Sequence, residues 1–379
     1  MKVTCRDYNL ALRHTFRISR SATDVAENVL VTVEHAGLTG VGEAHPNDYH
    51  GEDHHRVHSA IESFCRWLPA HPEFARPLES VGRRQETGGG QDAAHAPPST
   101  AYGLRPTASG PWAEAVDSLL SSLPPQVKAV RGAAGALDIA FHDLVGQLAG
   151  EPLWRLFGAD PARAPVTSFT IGIAPIPEMQ EKVREAERYP LLKIKVGTGR
   201  DREILEGIRA VTDKPLRVDA NAAWTVPEAI ANIRDIEHFG IEFVEQPIPP
   251  GDPDGLRRVR EAVSTPILVD ESVATSADIP PLAGAVDGIN IKLMKCGGLQ
   301  EARRMIALAR SLGMKTMLGC FIESSVAITA AAHLSPLVDY ADLDGHLLIA
   351  NDPYDGVGLD EHARLILPTR PGLGLLPRA

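Results

Sequence analysis

In the second half of this 379-residue chain, a charged residue closes a short apolar run at nearly constant intervals. The runs are LLKIK ending at Lys195, LRVD at Asp219, IEFVE at Glu245, PILVD at Asp270, GINIK at Lys292 and YAD at Asp342. The first four steps are 24, 26, 25 and 22 residues, and the last step of 50 holds one further run, KTMLGC at 315–320. With TSFTIGI at 167–173 as the first, the runs number eight. Runs of this length alternating with helical segments predict a parallel sheet built from βα units. Eight units of about 25 residues are the size of a TIM-type barrel.

The intervening segments read as helices. Thr225, Pro227 and Glu228 supply an N-cap, a first-turn proline and a capping-box acid ahead of Ile230, Ile233 and Ile236. Ile204, Leu205, Ile208 and Val211 recur at helical spacing, as do Met305, Ile306, Ala309 and Leu312 before Gly313. Upstream the texture differs. NVLVTVEHAGLTGVGEA, 28–44, alternates about Val29, Val31 and Val33, turns through Gly37 and Gly40, and resumes at Val41, which predicts an antiparallel hairpin. The stretch from Gln85 to Pro111 is Gly-, Pro-, Ser- and Ala-rich and reads as an insertion without chemistry. Leu137, Phe141, Leu144, Val145 and Leu148 then mark an amphipathic helix stopped by Gly150 and Pro152.

Charge and cysteine usage narrow the partners. Lys and Arg number 38 against 49 Asp and Glu, a net charge of −11 that repels phosphate backbones and anionic lipid, so neither nucleic acid nor membrane is expected. No apolar stretch approaches the roughly 18 residues of a membrane span, and no secretory leader is read. Cys5, Cys65, Cys296 and Cys320 form no Cys-x-x-Cys pair, which predicts free thiols in a reducing cytoplasmic compartment.

Active sites of such barrels sit at the C-terminal strand ends, where the charged residues fall. Asp219, Glu245 and Asp270 end three successive strands, an oxygen-only set suited to Mg²⁺. Lys195, with Lys193 on the same strand face, ends the second strand; Lys292 ends the sixth, across the mouth. Positive neighbours are expected to lower the pKa of Lys195, so that one lysine removes a proton α to a carboxylate and the other returns it to the opposite face. The metal would hold the carboxylate and stabilise the enolate. Lysine bases beside Mg²⁺ are an arrangement already known from enolase-superfamily sites.

KIKVG, VDANAAW, VEQP, VDES and NIKLMKCGG resemble the strand-end motifs of the muconate-lactonizing branch of the enolase superfamily, and SFTIGI, GCFIESS and DLDG resemble its dipeptide epimerases. The resemblance spans the chain apart from the insertion. It implies an α/β fold, a modified (β/α)₇β barrel with an N-terminal α+β capping domain. The implied units are a cap over 1–125, with the insertion at about 85–111, a catalytic barrel over 126–345 and a segment over 346–379 that returns to the cap. It also implies Lys195 and Lys292 as acid/base residues, Asp219, Glu245 and Asp270 as Mg²⁺ ligands, and a dipeptide as substrate, with a homo-oligomer allowed.

Asp342 and Asp344 in DLDG share a face at the end of the eighth strand, an anionic pair suited to a free α-ammonium. Thr170, Cys320 and Lys193 complete the set expected to touch substrate. Substrates of N-succinylamino-acid racemases, o-succinylbenzoate synthases and muconate cycloisomerases lack that ammonium, so the pair discriminates against these alternatives. A non-catalytic barrel is the remote alternative, disfavoured by so costly a polar cluster. One departure concerns the second side chain: ungapped alignment puts Ser21 where glutamate-selective relatives carry arginine, and Arg20 would substitute only after a loop shift, with Arg17 also nearby. His54 and His58 could share a helix face, a weak zinc signal without further ligands. Gly297 and Gly298 read as a tight strand-to-helix turn, and Gly88–Gly90 lacks a phosphate-loop lysine.

Overall fold

Alternating β-branched residues build the opening sheet. Its strands are β1 (Lys2–Ile18), β2 (Ser21–His35) and β3 (Leu38–Ala44), antiparallel in the order β1-β2-β3. The computed structural model describes residues 1–47, 49, 51–81 and 110–378. Positions 85–109 of the expected insertion therefore lie outside the described residues, while Gly110 caps the Pro111–Ser121 helix. Val29, Val31 and Val33 are buried, as their alternation predicts.

The β2–β3 turn differs from the sequence reading. It is made by Ala36 and Gly37, both at positive φ, whereas Gly40 lies inside β3. Gly40 and Gly42 serve close packing: a Cβ at Gly40 would drive into the Ala140 carbonyl oxygen, and one at Gly42 into that of Ala136. The missing side chains let the Arg131–Ala149 helix lie on the backbone of β3. Gly42→Ala is expected to lower stability by about 2–3 kcal/mol, read from the urea midpoint at unchanged slope. A shift under 0.5 kcal/mol would contradict this packing.

That helix ends at Gly150 (φ 70°), as its cap signal predicts, but it is not amphipathic. Every residue from Gly135 to Gly146 is buried, because β3 covers one side and the Leu293–Cys296 turn of the barrel the other. Its polar residues are consumed as caps. Asp138 accepts from the Leu299 and Gln300 amides at 2.8 and 3.2 Å, closing the start of the Leu299–Ser311 helix. Asp143 accepts from Val41 N and Leu373 N at 2.9 and 2.8 Å. Glu52 caps the helix itself through the Arg131 and Gly132 amides, both at 2.8 Å.

The eight expected runs all form strands of one parallel sheet. These are β4 (Phe169–Ile171), β5 (Leu192–Lys195), β6 (Leu216–Asp219), β7 (Ile241–Glu245), β8 (Ile267–Val269), β9 (Gly288–Ile291), β10 (Lys315–Gly319) and β11 (Tyr340–Asp342), in sequential order. A Thr167–Ala341 bridge, with Ser168 N donating to Ala341 O at 3.2 Å, closes the ring between the first and last strands. The capping box of Thr225 and Glu228 starts the Val226–Ile236 helix as predicted, with Pro227 in its first turn. Helical segments follow β4 through β10. After β11 the chain instead runs back along β1: Arg13 N donates to Leu348 O at 2.9 Å and Ala350 N to Ala11 O at 2.8 Å.

His333, buried where the Ser325–Ala332 helix ends, locks this return. Its Nδ1 accepts from Trp154 N at 3.2 Å, so Nε2 donates to Leu373 O at 3.1 Å and the ring is neutral. Burial pushes its pKa down from 6.5 to about 4. The unfolded chain therefore binds a proton first as pH falls. Stability from this group is intact above pH 6.5 and is lost between 6.5 and 4, by up to about 3 kcal/mol. Urea midpoints across that range should fall for the native chain and show a flatter slope for His333→Gln. An equal slope in both would remove His333 as the cause.

Candidate active site

The strand ends converge beneath the cap. One cavity is lined by Thr170, Lys193, Lys195, Asp270, Lys292, Cys320, Asp342 and Asp344, eight of the ten residues expected at the site. The other two, Asp219 and Glu245, are fully buried at the ends of β6 and β7. The end of β1, the turn after it and the segment after β3 roof the cavity with Phe16, Ile18, Arg20, Asn47 and Tyr49.

Local backbone geometry aims the acids. Directly after β6 and β7, Asn221, Ala222 and Gln246 hold positive φ of 48°, 63° and 36°, a strained conformation for non-glycine residues. The turn is fixed by Asn221 N donating to Asp219 Oδ1 at 2.9 Å and Ala222 N to Gln246 O at 2.8 Å. Gln246 Oε1 accepts from Asp270 N at 2.9 Å and Ser272 N at 3.1 Å, so the turn after β7 positions the acid after β8. Asn290 Nδ2 donates to Glu245 Oε1 at 2.8 Å.

Four lysines neutralise the acids. Lys193 Nζ lies 2.7 Å from Glu245, 2.7 Å from Asp342 and 3.1 Å from Asp219, and Lys195 Nζ donates to Asp219 Oδ2 at 2.6 Å. Lys292 lies 2.8 Å from Asp270 Oδ2 and over the Phe321 ring at 4.5 Å. Lys295, buried, donates to Asp270 Oδ1 and to the Asp270, Val273 and Asn290 carbonyls. Sequence reasoning assigned Lys295 no role, since its approach to Asp270 depends on the helical turn after β9, which brings positions 292 and 295 to one side.

The charges follow this pairing. Burial alone would lower Lys193 and Lys292, but the acids around them outweigh it and hold both above the ordinary lysine range. Lys195, the lysine expected from sequence to have a positive neighbour, shares Asp219 Oδ2 with Lys193. Burial favours protonating Asp219 and Asp270, yet Lys195 and Lys193 for one and Lys292 and Lys295 for the other keep both below the usual carboxylate range. Glu245, pushed up by burial and by the Asp219 charge, reaches about 7. Its Oε2 faces Lys193 outside hydrogen-bond geometry, a buried oxygen without a hydrogen bond.

Three carboxylates on adjacent strands, one with an unbonded oxygen, fit a hard divalent cation by donor chemistry. The acids turn toward the lysines here, so among the described residues no three His, Cys, Asp or Glu side chains form a ready-made cage.

Asp342 and Asp344 share the end of β11 but not their partners. Asp342 accepts from Ser168 Oγ at 2.5 Å and from Lys193, so it pairs with a barrel lysine. Asp344 accepts from Thr170 N through Oδ2 at 2.7 Å, and burial with the Asp342 charge pushes it up to about 6. Cys320 Sγ donates to Asp342 O at 3.2 Å, and burial together with the Asp344 charge holds the thiol well above its ordinary value.

Arg20 lines the cavity. Its Nη2 lies 2.7 Å from Glu271, Nη1 donates to Asn221 O at 2.8 Å, and it stacks on Tyr49. Ser21 opens β2 and lines no part of the cavity, and Arg17 lies in an outer groove. His54 and His58 share a helix face as spaced, with both Nε2 atoms turned to Asp7 Oδ1 at 3.0 and 3.4 Å, away from the cavity. Glu323, missed from sequence, is buried with Oε1 unbonded and is pushed up to about 8 by burial and by Glu43.

Residues 178–378 match the family model described as enolase C-terminal domain-like. The chain belongs to this enolase family. An L-Ala-D/L-Glu epimerase of Bacteroides thetaiotaomicron is 37% identical over 99% of this chain and 88% of its own. Among solved structures, a dipeptide epimerase from Enterococcus faecalis, complexed with Mg and the dipeptide L-Leu-L-Tyr, superposes with a TM-score of 0.80. It is 32% identical and covers 99% of this chain and 98% of its own. A dipeptide epimerase from Methylococcus capsulatus, complexed with Mg and L-Arg-D-Lys, gives a TM-score of 0.78 at 31% identity, covering 99% and 100%. The enolase-family fold, a barrel under an N-terminal cap, is the one built above from the strands. No helix among the described residues is long and apolar enough to cross a membrane.

Proposed function

We propose that the protein is a dipeptide epimerase that inverts the α-carbon of the second residue. The observation that carries this reading is a single cavity holding Lys195 and Lys292 together with the acids of β8 and β11. Lys195 Nζ and Lys292 Nζ are the two acid/base groups, one removing the α-proton and the other delivering a proton to the opposite face. Asp219, Glu245 and Asp270 would hold Mg²⁺, which supplies Lewis-acid stabilisation of negative charge on the substrate carboxylate. Lys193 and Lys295 fix the acids at the strand ends and help keep Asp219 and Asp270 charged. Phe321 holds the Lys292 ammonium against its ring face.

The ammonium of the substrate's first residue goes to Asp344, with Asp342 fixed behind it by Lys193 and Ser168. Thr170 and Cys320 line the path between the acids and the lysines. This division of labour favours a free dipeptide over N-succinylated or cycloisomerase substrates, which bring no cation to Asp344. The same reading divides the chain into a cap (1–125), a barrel (126–345) and a return segment (346–379). The Arg131–Ala149 helix then forms the layer between cap and barrel, and the enzyme works in the cytosol with its four thiols reduced.

Incubation with Mg²⁺ in D₂O against pooled L,L-dipeptides is expected to add one deuterium at the α-carbon of the second residue, read by mass spectrometry. Exchange confined to N-succinylated amino acids would replace this reading with the racemase alternative.

A further inference from the structure

We propose that a second cavity is the subsite for the side chain of the substrate's first residue, and that it selects an apolar stem ending in a carboxylate. The inference rests on the dipeptide-epimerase reading. Phe16, Thr170 and Leu348 line both this cavity and the reaction cavity, so the two share one wall. That wall stands beside Asp344, whose carboxylate accepts the Thr170 amide. A first residue anchored by its ammonium on Asp344 has its side chain against the wall, with the second cavity beyond.

The chain builds this cavity by departing from regular pairing. The β1–β2 register shifts between Ala11 and Phe16, which frees residues 12–15 from β2. Leu12 and Arg13 turn to the return segment instead, through the Leu12–Ile349 bridge and the bond from Arg13 N to Leu348 O, while Thr15 Oγ1 still donates to Asp24 of β2 at 2.6 Å. The inner walls are apolar, with Phe169 and Leu347 joining Phe16 and Leu348. The lining also carries Arg13, His14 and Lys182 with one acid, Glu185, and the same three basic residues border an adjoining groove with Arg17, Asp24 and Glu178. Among the described residues, none of the three basic side chains has a hydrogen bond or ion pair. A glutamate side chain matches both parts: its methylenes meet the apolar wall and its carboxylate meets unpaired cations. A lysine of similar reach brings like charge to the same place.

The test measures kcat/KM for α-deuteration in D₂O with Mg²⁺, using Ala, Leu, Glu and Lys as first residue. The second residue is held at the one that exchanges fastest behind alanine. Glu-first dipeptides are expected to exceed Lys-first by at least tenfold. An Arg13→Glu, Lys182→Glu double variant is expected to reverse that order. Equal rates for Glu-first and Lys-first substrates, or an order unchanged by the double variant, would overturn the subsite while leaving the epimerase reading standing. No exchange from any dipeptide would overturn both.

Discussion

Lys195→Ala and Lys292→Ala are each expected to lower epimerisation by about 10²–10⁴-fold while leaving the barrel folded. The acids that these lysines touch keep a second cation: Asp219 retains Lys193 at 3.1 Å, and Asp270 retains Lys295. Neither substitution leaves a buried carboxylate unpaired, so the loss reads the proton transfer and not the fold. With a base on each face, each variant should still exchange deuterium into one epimer of the dipeptide, and the two variants should serve opposite epimers. The measurement is α-deuteration of separate L,L and L,D substrates, with Mg²⁺-induced stabilisation as the check on metal binding. Interconversion near the native rate in either variant would rule out a two-lysine mechanism.

Glu43→Ala is expected to cost about 3–5 kcal/mol, because it removes a buried link from cap to barrel. Glu43 belongs to β3 and is fully buried, yet all but one of its partners are on the barrel. It accepts from Ser324 N, Ser324 Oγ and Ala327 N, which start the Ser325–Ala332 helix, and from Asn28 Nδ2 at 2.7 Å. Truncation strips the acceptor from four donors at once, of which Asn28 Nδ2 keeps the Ile322 carbonyl. Urea unfolding of the native chain and the variant gives the difference directly. A loss below 1 kcal/mol would show that the helix start finds other acceptors.

What was readable in the sequence was periodic, and what was not depended on partners far away in the chain. The 25-residue beat located all eight strands, because a parallel barrel repeats one unit and its strand ends must share one rim. The same beat brought Lys195, Asp270, Lys292 and Asp342 to the cavity. The spacing in DLDG put two acids together but could not show that Lys193 and Ser168 take one of them. Glu43, Glu52, Asp138 and Asp143 went unassigned, since each bonds to amides on an element remote in sequence. Gly40 misled because a glycine required by a neighbouring helix has the same local signature as one required by a turn. The reach of Arg20 to Glu271 was equally hidden, since it depends on the turn between β1 and β2.

The return of the chain to β1 bears on the order of events during synthesis. β1 is an edge strand of its sheet, and its open side is bonded by Ile173 N at Arg17 O and, over residues 9–13, by residues 348–351 of the return segment. Tyr8 donates to the Asn351 carbonyl across 343 positions of sequence. A nascent chain therefore carries an uncovered β edge until almost the whole polypeptide has left the ribosome, and edges of this kind recruit strands from other molecules. Leu348 arrives in the same late segment, so the cavity gains its final wall only when the edge is sealed. Covering of this edge and completion of the cavity wall therefore wait on the same late segment of the chain.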